Sequence, residues 1–204
     1  MRKIFTPLTK EVIKELKVGE EVFLEGRIYT ARDRTHKKLI ELWKKKEKLP
    51  FSLRNEVIYY CGPNIKNKKL GSCGPTSSLR MDKFLEEMLR EGVIATIGKG
   101  RRAFWVKEML KKYHGVYFLT YGGCGAYLRE KVKSFKLVGF PELGAEAIYE
   151  FYVEEFPLIV GIDCYGRDIY AEHSGSMQNE KCPLEAPPEV DSPQAKDPSL
   201  AEKM

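Results

Sequence analysis

The sequence predicts an α/β fold in which helices flank a partly parallel sheet. Three buried strands are predicted at residues 57–61, 93–97 and 115–120, because each is a short apolar run that ends at a glycine-containing turn. A helical pattern comes after each of these turns. Repetition of strand, turn and helix is typical of parallel strands joined by crossover helices. The 204 residues are enough for one domain with a hydrophobic core, or for two very small domains.

The elements before the first of these strands follow from simple patterns. Thr9 is predicted to cap a short helix that ends near Gly19. Glu21–Thr30 alternates well enough to be a strand. A polar cluster at residues 31–38 then leads into a helix that Pro50 closes.

Residues 71–82 form a glycine- and proline-containing loop that runs into an amphipathic helical pattern. We expect Thr76, Ser77 and Ser78 to lie at the helix N-terminus, where free amides favour an anion. Arg80 lies one helical turn beyond Thr76, so hydroxyls, amides and a guanidinium could converge on a carboxylate or phosphate. The alternative is a capped helix with a solvent-facing arginine.

Other polar residues follow the predicted strands. Lys99 lies between two glycines at a strand end and is typical of an anion-binding turn, although the rest of a P-loop is missing. Gly122 and Gly123 indicate close backbone approach after the next strand. Ligands gather at the carboxyl ends of parallel strands, so these turns and Thr76 are predicted to share one cleft. Arg32 lies where the chain leaves the preceding strand, and surface charge at a helix start is the alternative for Arg32, Arg34 and His36. A lone histidine such as His36 is more often a hydrogen-bonded structural residue than a catalyst.

The C-terminal third differs in character. Residues 147–153 and 158–163 are predicted as two strands, and residues 169–171 as a last short strand. They are expected to extend or flank the sheet. Residues 174–204 contain five prolines and show no periodicity, so we expect a mostly disordered tail after a domain at 1–173.

Composition narrows the function classes. The net charge is +6, but the lysines at 44–46 and 66–69 lack interleaved aromatic residues, which favours solvated surface over a nucleic-acid site. No apolar run approaches the roughly 20 residues of a membrane span, and residues 1–5 lack the apolar region of a secretory signal. The five cysteines are scattered without a CxxC pair, which argues against a disulfide scaffold or a metal site and favours the cytoplasm.

Four ordered motifs resemble a known family. Residues 74–81 (Gly-Pro-Thr-Ser-Ser-Leu-Arg-Met) resemble the GPT-(T/S)-x-x-RM signature of the class I fumarate hydratase C-terminal domain. That domain also occurs as the separate β subunit of two-chain fumarases and L-tartrate dehydratases. Residues 32–37 resemble the family's RDxxHK segment, residues 97–100 its GKG turn and residues 141–148 its PELGxEAI run. The resemblance covers about residues 1–172.

The resemblance implies a β/β/α "swivelling" domain that closes over a partner subunit. In this family the partner α subunit carries a [4Fe–4S] cluster and supplies all its cysteine ligands, so no cysteine of this chain would bind metal. The chain would be a hydro-lyase subunit, active only with its α subunit, in an α2β2 assembly. Neither nucleic acid nor membrane is implied as a partner.

The resemblance also assigns roles residue by residue. Arg32, Arg80 and Lys99 match the family's substrate-carboxylate binders, and Thr76 matches the threonine proposed as the catalytic base. An aliphatic hydroxyl is a poor base at neutral pH. Thr76 would therefore need nearby cations and amides to stabilise its alkoxide, or would act as one member of a proton relay.

Two motifs bear on the reaction. Residues 121–124 and 141–148 look more like fumarases, which favours reversible hydration of fumarate to (S)-malate. Dehydration of L(+)-tartrate to oxaloacetate is the alternative. A basic binding module without chemistry is a third possibility, and it would bind oligonucleotides with a steep salt dependence.

Overall fold

The structure is a computed structural model that describes residues 1–47, 49 and 51–171. The tail predicted at 174–204 lies outside these residues. The described strands are β1 (Arg2–Phe5), β2 (Glu21–Thr30), β3 (Val57–Tyr59), β4 (Asn64–Lys66), β5 (Lys69–Ser72), β6 (Ala95–Gly98), β7 (Val116–Leu119), β8 (Val132–Gly139) and β9 (Ile148–Ile162).

Along the chain, helices lie between these strands. They are α1 (Lys10–Glu15), α2 (Asp33–Lys44), α3 (Leu85–Arg90), α4 (Val106–Tyr113) and α5 (Gly125–Glu130), with 3-10 helices at Ser78–Phe84 and Pro141–Glu146. No helix among the described residues is long and apolar enough to cross a membrane.

The large sheet is mixed, with the strand order β1-β2-β3-β6-β7-β9-β8. The five strands from β1 to β7 in this order run parallel, which confirms the partly parallel sheet flanked by helices. Strand β9 is antiparallel to β7 and also pairs with β2. Because β9 joins both, strands β2, β3, β6, β7 and β9 close into a ring.

Strands β3, β6 and β7 are buried on both faces. Tyr59 packs in the cluster inside the ring, whereas its neighbours Ile58 and Tyr60 pack under the helical layer that contains Leu39 and Met81. Strands covered on both faces read as continuous apolar runs rather than alternating ones. This is why the sequence pattern located β3, β6 and β7.

Several predicted elements are confirmed. Thr9 caps α1, since its Oγ1 accepts a hydrogen bond from the amide of Val12 at 3.4 Å. Strand β2 has the predicted bounds. The predicted helix is present as α2, but it begins inside the polar cluster and ends at Lys44, before Pro50.

Other predictions were wrong in detail. The lysine-rich segment at 66–69 is part of the β4–β5 hairpin rather than a loop. Residues 147–163 contain the single strand β9 rather than two, and Glu155 takes a φ of 48° within it. Residues 169–171 form a turn, and the nearby pairing is an isolated bridge between Ile162 and Asp168.

The helix predicted after Thr76 also differs. It begins as the 3-10 helix Ser78–Phe84, and α-helical geometry starts at Leu85. Ser77 is the N-cap residue, but its side chain makes no capping hydrogen bond. Thr76 therefore precedes the helix. The prediction that the three hydroxyl residues lie at the N-terminus of an α-helix was wrong.

Candidate functional site

Four strand ends form the floor of the candidate site. Arg32 follows β2, Gly62 follows β3, Lys99 follows β6 and Gly122 follows β7. These strands are parallel, so their carboxyl ends meet at one edge of the sheet.

Thr76 reaches this edge through backbone hydrogen bonds. Its amide donates to the carbonyl of Tyr60 at 2.7 Å, and its carbonyl accepts from the amide of Lys99 at 3.3 Å. The amide of Ser78 donates to the carbonyl of Lys99 at 3.0 Å, and Ser77 and Lys99 form a parallel bridge. Backbone hydrogen bonds thus hold the segment with Thr76 directly beside Lys99.

A carboxylate joins the two arginines. Arg80 Nη2 donates to Asp33 Oδ2 at 2.8 Å, and Arg32 Nη2 lies 3.9 Å from the same oxygen. The Arg80 side chain is 53% exposed, so its remaining donors are open to a ligand. Sequence reasoning missed Asp33. Its one signal was its place between Arg32 and the start of α2.

Two glycines make room for the cationic side chains. A Cβ atom at Gly62 would lie 2.9 Å from Arg32 Cδ, and one at Gly122 would lie 3.3 Å from Lys99 Cδ. The close approach predicted at the glycine turn after β7 is therefore made by the Lys99 side chain. Arg32 Nε has no hydrogen-bond partner in the described chain, and the Lys99 ammonium group has no ion pair there.

The charges suit a small dianion. Arg32, Arg80 and Lys99 are offset only by Asp33, which leaves two net positive charges on these four side chains. Guanidinium groups bind carboxylates through charge-assisted, often bidentate hydrogen bonds, and an ammonium adds a point charge. A group of cations of this kind can bind a small anion that carries carboxylates.

His36 is buried beneath Arg32, so the alternative of surface charge is wrong for this residue. Its Nδ1 lies 2.7 Å from the Arg32 carbonyl oxygen, and its ring stacks on Phe84 with centroids 5.4 Å apart. A carbonyl only accepts, so Nδ1 carries the proton. Burial lowers the pKa of His36 to about 4, which keeps the ring neutral. His36 therefore supports the backbone of Arg32 and carries no charge of its own.

Replacing His36 with asparagine should make the free energy of unfolding depend less on pH in the acidic range. The unfolded chain binds a proton at His36 below about pH 6.5, and the folded chain binds it only near pH 4. The wild-type protein should therefore lose up to about 3 kcal/mol of unfolding free energy as pH falls through this window. Asparagine keeps a donor near the Nδ1 position but does not titrate. Urea unfolding at a series of pH values measures the difference.

The exposed His114 provides the matched control for this experiment. It takes a φ of 54° at the C-cap of α4, a conformation that asparagine tolerates. His114→Asn should keep the wild-type acid dependence. An equal slope in the His36 variant and the wild type would contradict the neutral, buried imidazole.

The described residues do not fit an iron–sulfur cluster. Among them no group of three His, Cys, Asp or Glu side chains could hold a metal ion. Cys61 and Cys73 are buried, and burial raises the pKa of Cys73 to about 12 and that of Cys61 well above its usual range. Thiols of this kind stay protonated, whereas metals bind the thiolate.

Comparison with known proteins identifies the relatives of the chain. The sequence model of the fumarase C-terminus family matches residues 2–173. The chain is 43% identical over 180 residues to "Putative L(+)-tartrate dehydratase subunit beta" of Methanocaldococcus jannaschii, covering 84% of this chain and 92% of that protein. It is 32% identical to the L(+)-tartrate dehydratase subunit beta of Escherichia coli K12, covering 90% and 94%.

A longer relative matches the same region. The chain is 34% identical over 167 residues to fumarate hydratase 2 of Leishmania major, which covers 80% of this chain and 29% of that protein. The resemblance found in the four motifs is thus confirmed over nearly all the described residues. The chain belongs to the fumarase C-terminus family, and β subunits of L(+)-tartrate dehydratases are among the proteins similar to it.

Proposed function

We propose that this chain is the β subunit of a two-chain iron–sulfur hydro-lyase that acts on a small dicarboxylate. The observation that carries the proposal is the gathering of Arg32, Arg80 and Lys99 beside Thr76 at one open edge of the sheet. The near end-to-end match to β subunits supports the same reading.

L(+)-tartrate is the first candidate substrate and fumarate the second. The sequence motifs favoured fumarate, but the two β-subunit relatives bear the name of tartrate dehydratase, at 43% and 32% identity. This changes the order of preference. The Leishmania relative, named a fumarate hydratase, keeps fumarate as a specific alternative.

The three cations would clamp one carboxylate of the substrate. Removal of a proton from the carbon next to that carboxylate builds negative charge on its oxygens. Fixed donors that meet this charge as it develops stabilise the transition state. In this proposal Arg32 and Arg80 supply the paired donors, and Lys99 supplies the third charge.

Thr76 would move the proton. The Thr76 carbonyl accepts a hydrogen bond from the Lys99 amide, so the two residues are adjacent at the strand end. In this proposal the Lys99 ammonium group would favour an alkoxide at Thr76. The hydroxyl either takes the proton itself or passes it along a relay, and both routes need Thr76. In either case its loss should act on turnover rather than on assembly.

The partner would supply the other half of the site. Because the described residues do not fit a cluster, we assign the [4Fe–4S] group to the α subunit of an α2β2 complex in the cytoplasm. The chain spans 29% of the Leishmania protein, which leaves length there for a second domain. In this proposal the present chain is the swivelling domain that closes over the partner.

The test is anaerobic mixing of the chain with its cluster-loaded α subunit, followed by assays with L-tartrate and fumarate. Thr76→Ala should lower kcat by roughly 10²-fold, because a positioned proton-transfer group contributes at least that much. Complex formation, measured by size-exclusion chromatography, should be unchanged.

Ser77→Ala is the matched control, since Ser77 is the adjacent exposed hydroxyl and makes no capping hydrogen bond. It should retain turnover close to wild type. Near-normal turnover by Thr76→Ala would rule out the proton-transfer role. A wild-type complex with an intact cluster that turns over neither substrate would overturn the proposed function.

A further inference from the structure

We propose that Tyr117 is a positioning residue whose buried hydroxyl locks the two cation-bearing segments of the site together. The first segment contains Thr76 and Arg80, and the second contains Lys99. The inference rests on the proposed function, because it gives these segments a reason to be held in fixed register.

The hydroxyl of Tyr117 touches both segments. It lies 2.9 Å from Ser78 Oγ and 2.8 Å from the carbonyl oxygen of Gly100. A carbonyl can only accept, so Tyr117 donates its one proton to Gly100 and accepts a hydrogen bond from Ser78. Ser78 lies two residues before Arg80, and Gly100 directly follows Lys99. One side chain from β7 therefore bridges both site segments.

The segments are packed closely at this bridge. The Ser78 hydroxyl lies against Gly98 so tightly that no Cβ atom would fit there. Tyr117 is 1% exposed and Ser78 is fully buried. Hydrogen bonds buried in this way hold one geometry, because a donor or acceptor left unpaired there loses its water as well.

The ring of Tyr117 also packs against a buried ion pair. The Arg102 guanidinium lies 4.7 Å from the ring centroid and is hydrogen-bonded to Asp82 on the 3-10 helix that carries Arg80. The Ala103 amide also donates to Asp82 at 2.7 Å, which ties the chain after Lys99 to the same helix. The Tyr117 side chain is therefore tied to the 3-10 helix in two ways, through Ser78 directly and through Arg102 to Asp82.

Tyr117 is suited to hold position rather than to exchange protons. Burial raises the pKa of Tyr117 far above its usual range, so the hydroxyl stays protonated wherever the protein is folded. Its hydroxyl forms hydrogen bonds with Ser78 and Gly100 of the site segments, and the described chain shows none from it to Thr76, Arg80 or Lys99. Its effect on the reaction must pass through the positions of Arg80, Thr76 and Lys99.

Removing the hydroxyl should harm turnover more than binding. The cations of a Tyr117→Phe variant would still attract a dianion, but they would no longer be held where charge develops. A displacement of about 1 Å can cost up to 10²-fold in rate. We expect kcat to fall by about tenfold or more, with a change in KM of less than about threefold.

The experiment uses the full chain in two settings. In the reconstituted complex, kcat and KM are measured for Tyr117→Phe. In the full chain alone, amide hydrogen exchange is compared at residues 76–80 and 98–101, where it should become faster without a matching rise over the rest of the sheet. Tyr29→Phe is the control, because Tyr29 is 3% exposed and its hydroxyl bonds to Glu150 at 3.0 Å, away from these segments.

The outcomes separate the two proposals. Unchanged exchange at both segments, or a kcat within about twofold of wild type, would overturn the positioning role. A uniform rise in exchange that Tyr29→Phe reproduces would overturn it too. If the wild-type complex turns over neither dicarboxylate, the proposed function fails, and the exchange data still decide whether Tyr117 holds the segments in place.

Ser78→Ala removes the same hydrogen bond from the other side. It replaces Tyr117→Phe in this experiment if that variant does not fold.

Discussion

Replacing Arg80 with methionine is expected to lower kcat/KM for the proposed dicarboxylate substrate by about 10³-fold. Arg80 is the most exposed of the three cations, and its one ion pair in the described chain is with Asp33. Methionine keeps much of the side-chain length but removes every donor. It also leaves the Asp33 carboxylate facing a substrate of the same charge, so repulsion adds to the lost hydrogen bonds. Steady-state kinetics of the reconstituted complex measure the loss.

Two further variants sharpen this experiment. Arg80→Lys keeps the charge but not the planar pair of donors, so its kcat/KM should lie between those of wild type and Arg80→Met. Arg34→Met is the matched control, because Arg34 is an exposed arginine two residues from Arg32. It should change kcat/KM by less than about threefold, as surface substitutions away from a site usually do. If Arg80→Met were no worse than Arg34→Met, the clamp would be wrong.

The parallel part of the fold was predictable because its signals are local. Residues 57–61, 93–97 and 115–120 are apolar runs that end at glycines, and such runs are typical of strands buried on both faces. Once those strands are parallel, general sheet topology brings Arg32, Lys99 and the turn at Gly122 to one edge. The loop-to-helix pattern at residues 71–82 had already pointed to Thr76 and Arg80. The family signature then gave them roles, and those roles stay predictions.

What the sequence could not show depends on contacts between distant residues. The closure of the ring comes from pairing of β2 with β9, which lie more than 100 residues apart in the chain. Glu154, Glu155 and Pro157 looked like a break between strands, yet Pro157 pairs with Phe23 inside the continuous β9. No local pattern reports such pairing.

The same holds for the candidate site. The apolar spacing after Ser78 suits a helix of either kind, and tertiary bonds from Tyr117 and Arg102 accompany the 3-10 geometry that it takes. From the sequence, Asp33 is one member of the polar cluster at residues 31–38 and has no predicted role of its own. Its carboxylate joins Arg32 to Arg80, a contact made across 47 residues of chain.

The buried pair of Asp82 and Arg102 should have the largest effect on stability. Their side chains are 5% and 0% exposed, and Arg102 also bonds to Thr96 Oγ1 at 3.3 Å. Asp82→Leu would leave a buried guanidinium without its counter-ion. Removing one partner of such a pair typically costs about 3–5 kcal/mol. Urea unfolding of the chain should therefore show a much lower midpoint with an unchanged slope.

The double variant Asp82→Leu with Arg102→Met tests the cause of that loss. Replacing both charges by apolar side chains of similar size removes the unpaired charge, so most of the stability should return. Glu86→Ala is the control, since Glu86 pairs with the exposed Arg90 and Lys112, and it should cost no more than about 1 kcal/mol. A double variant as unstable as Asp82→Leu would mean that lost packing, not the orphaned charge, destabilises the protein. The double variant also lacks the hydrogen bond from the Ala103 amide to Asp82, which ties the 3-10 helix carrying Arg80 to the chain after Lys99. A double variant that is stable but slow in turnover would therefore show that the pair contributes separately to stability and to the geometry of the site.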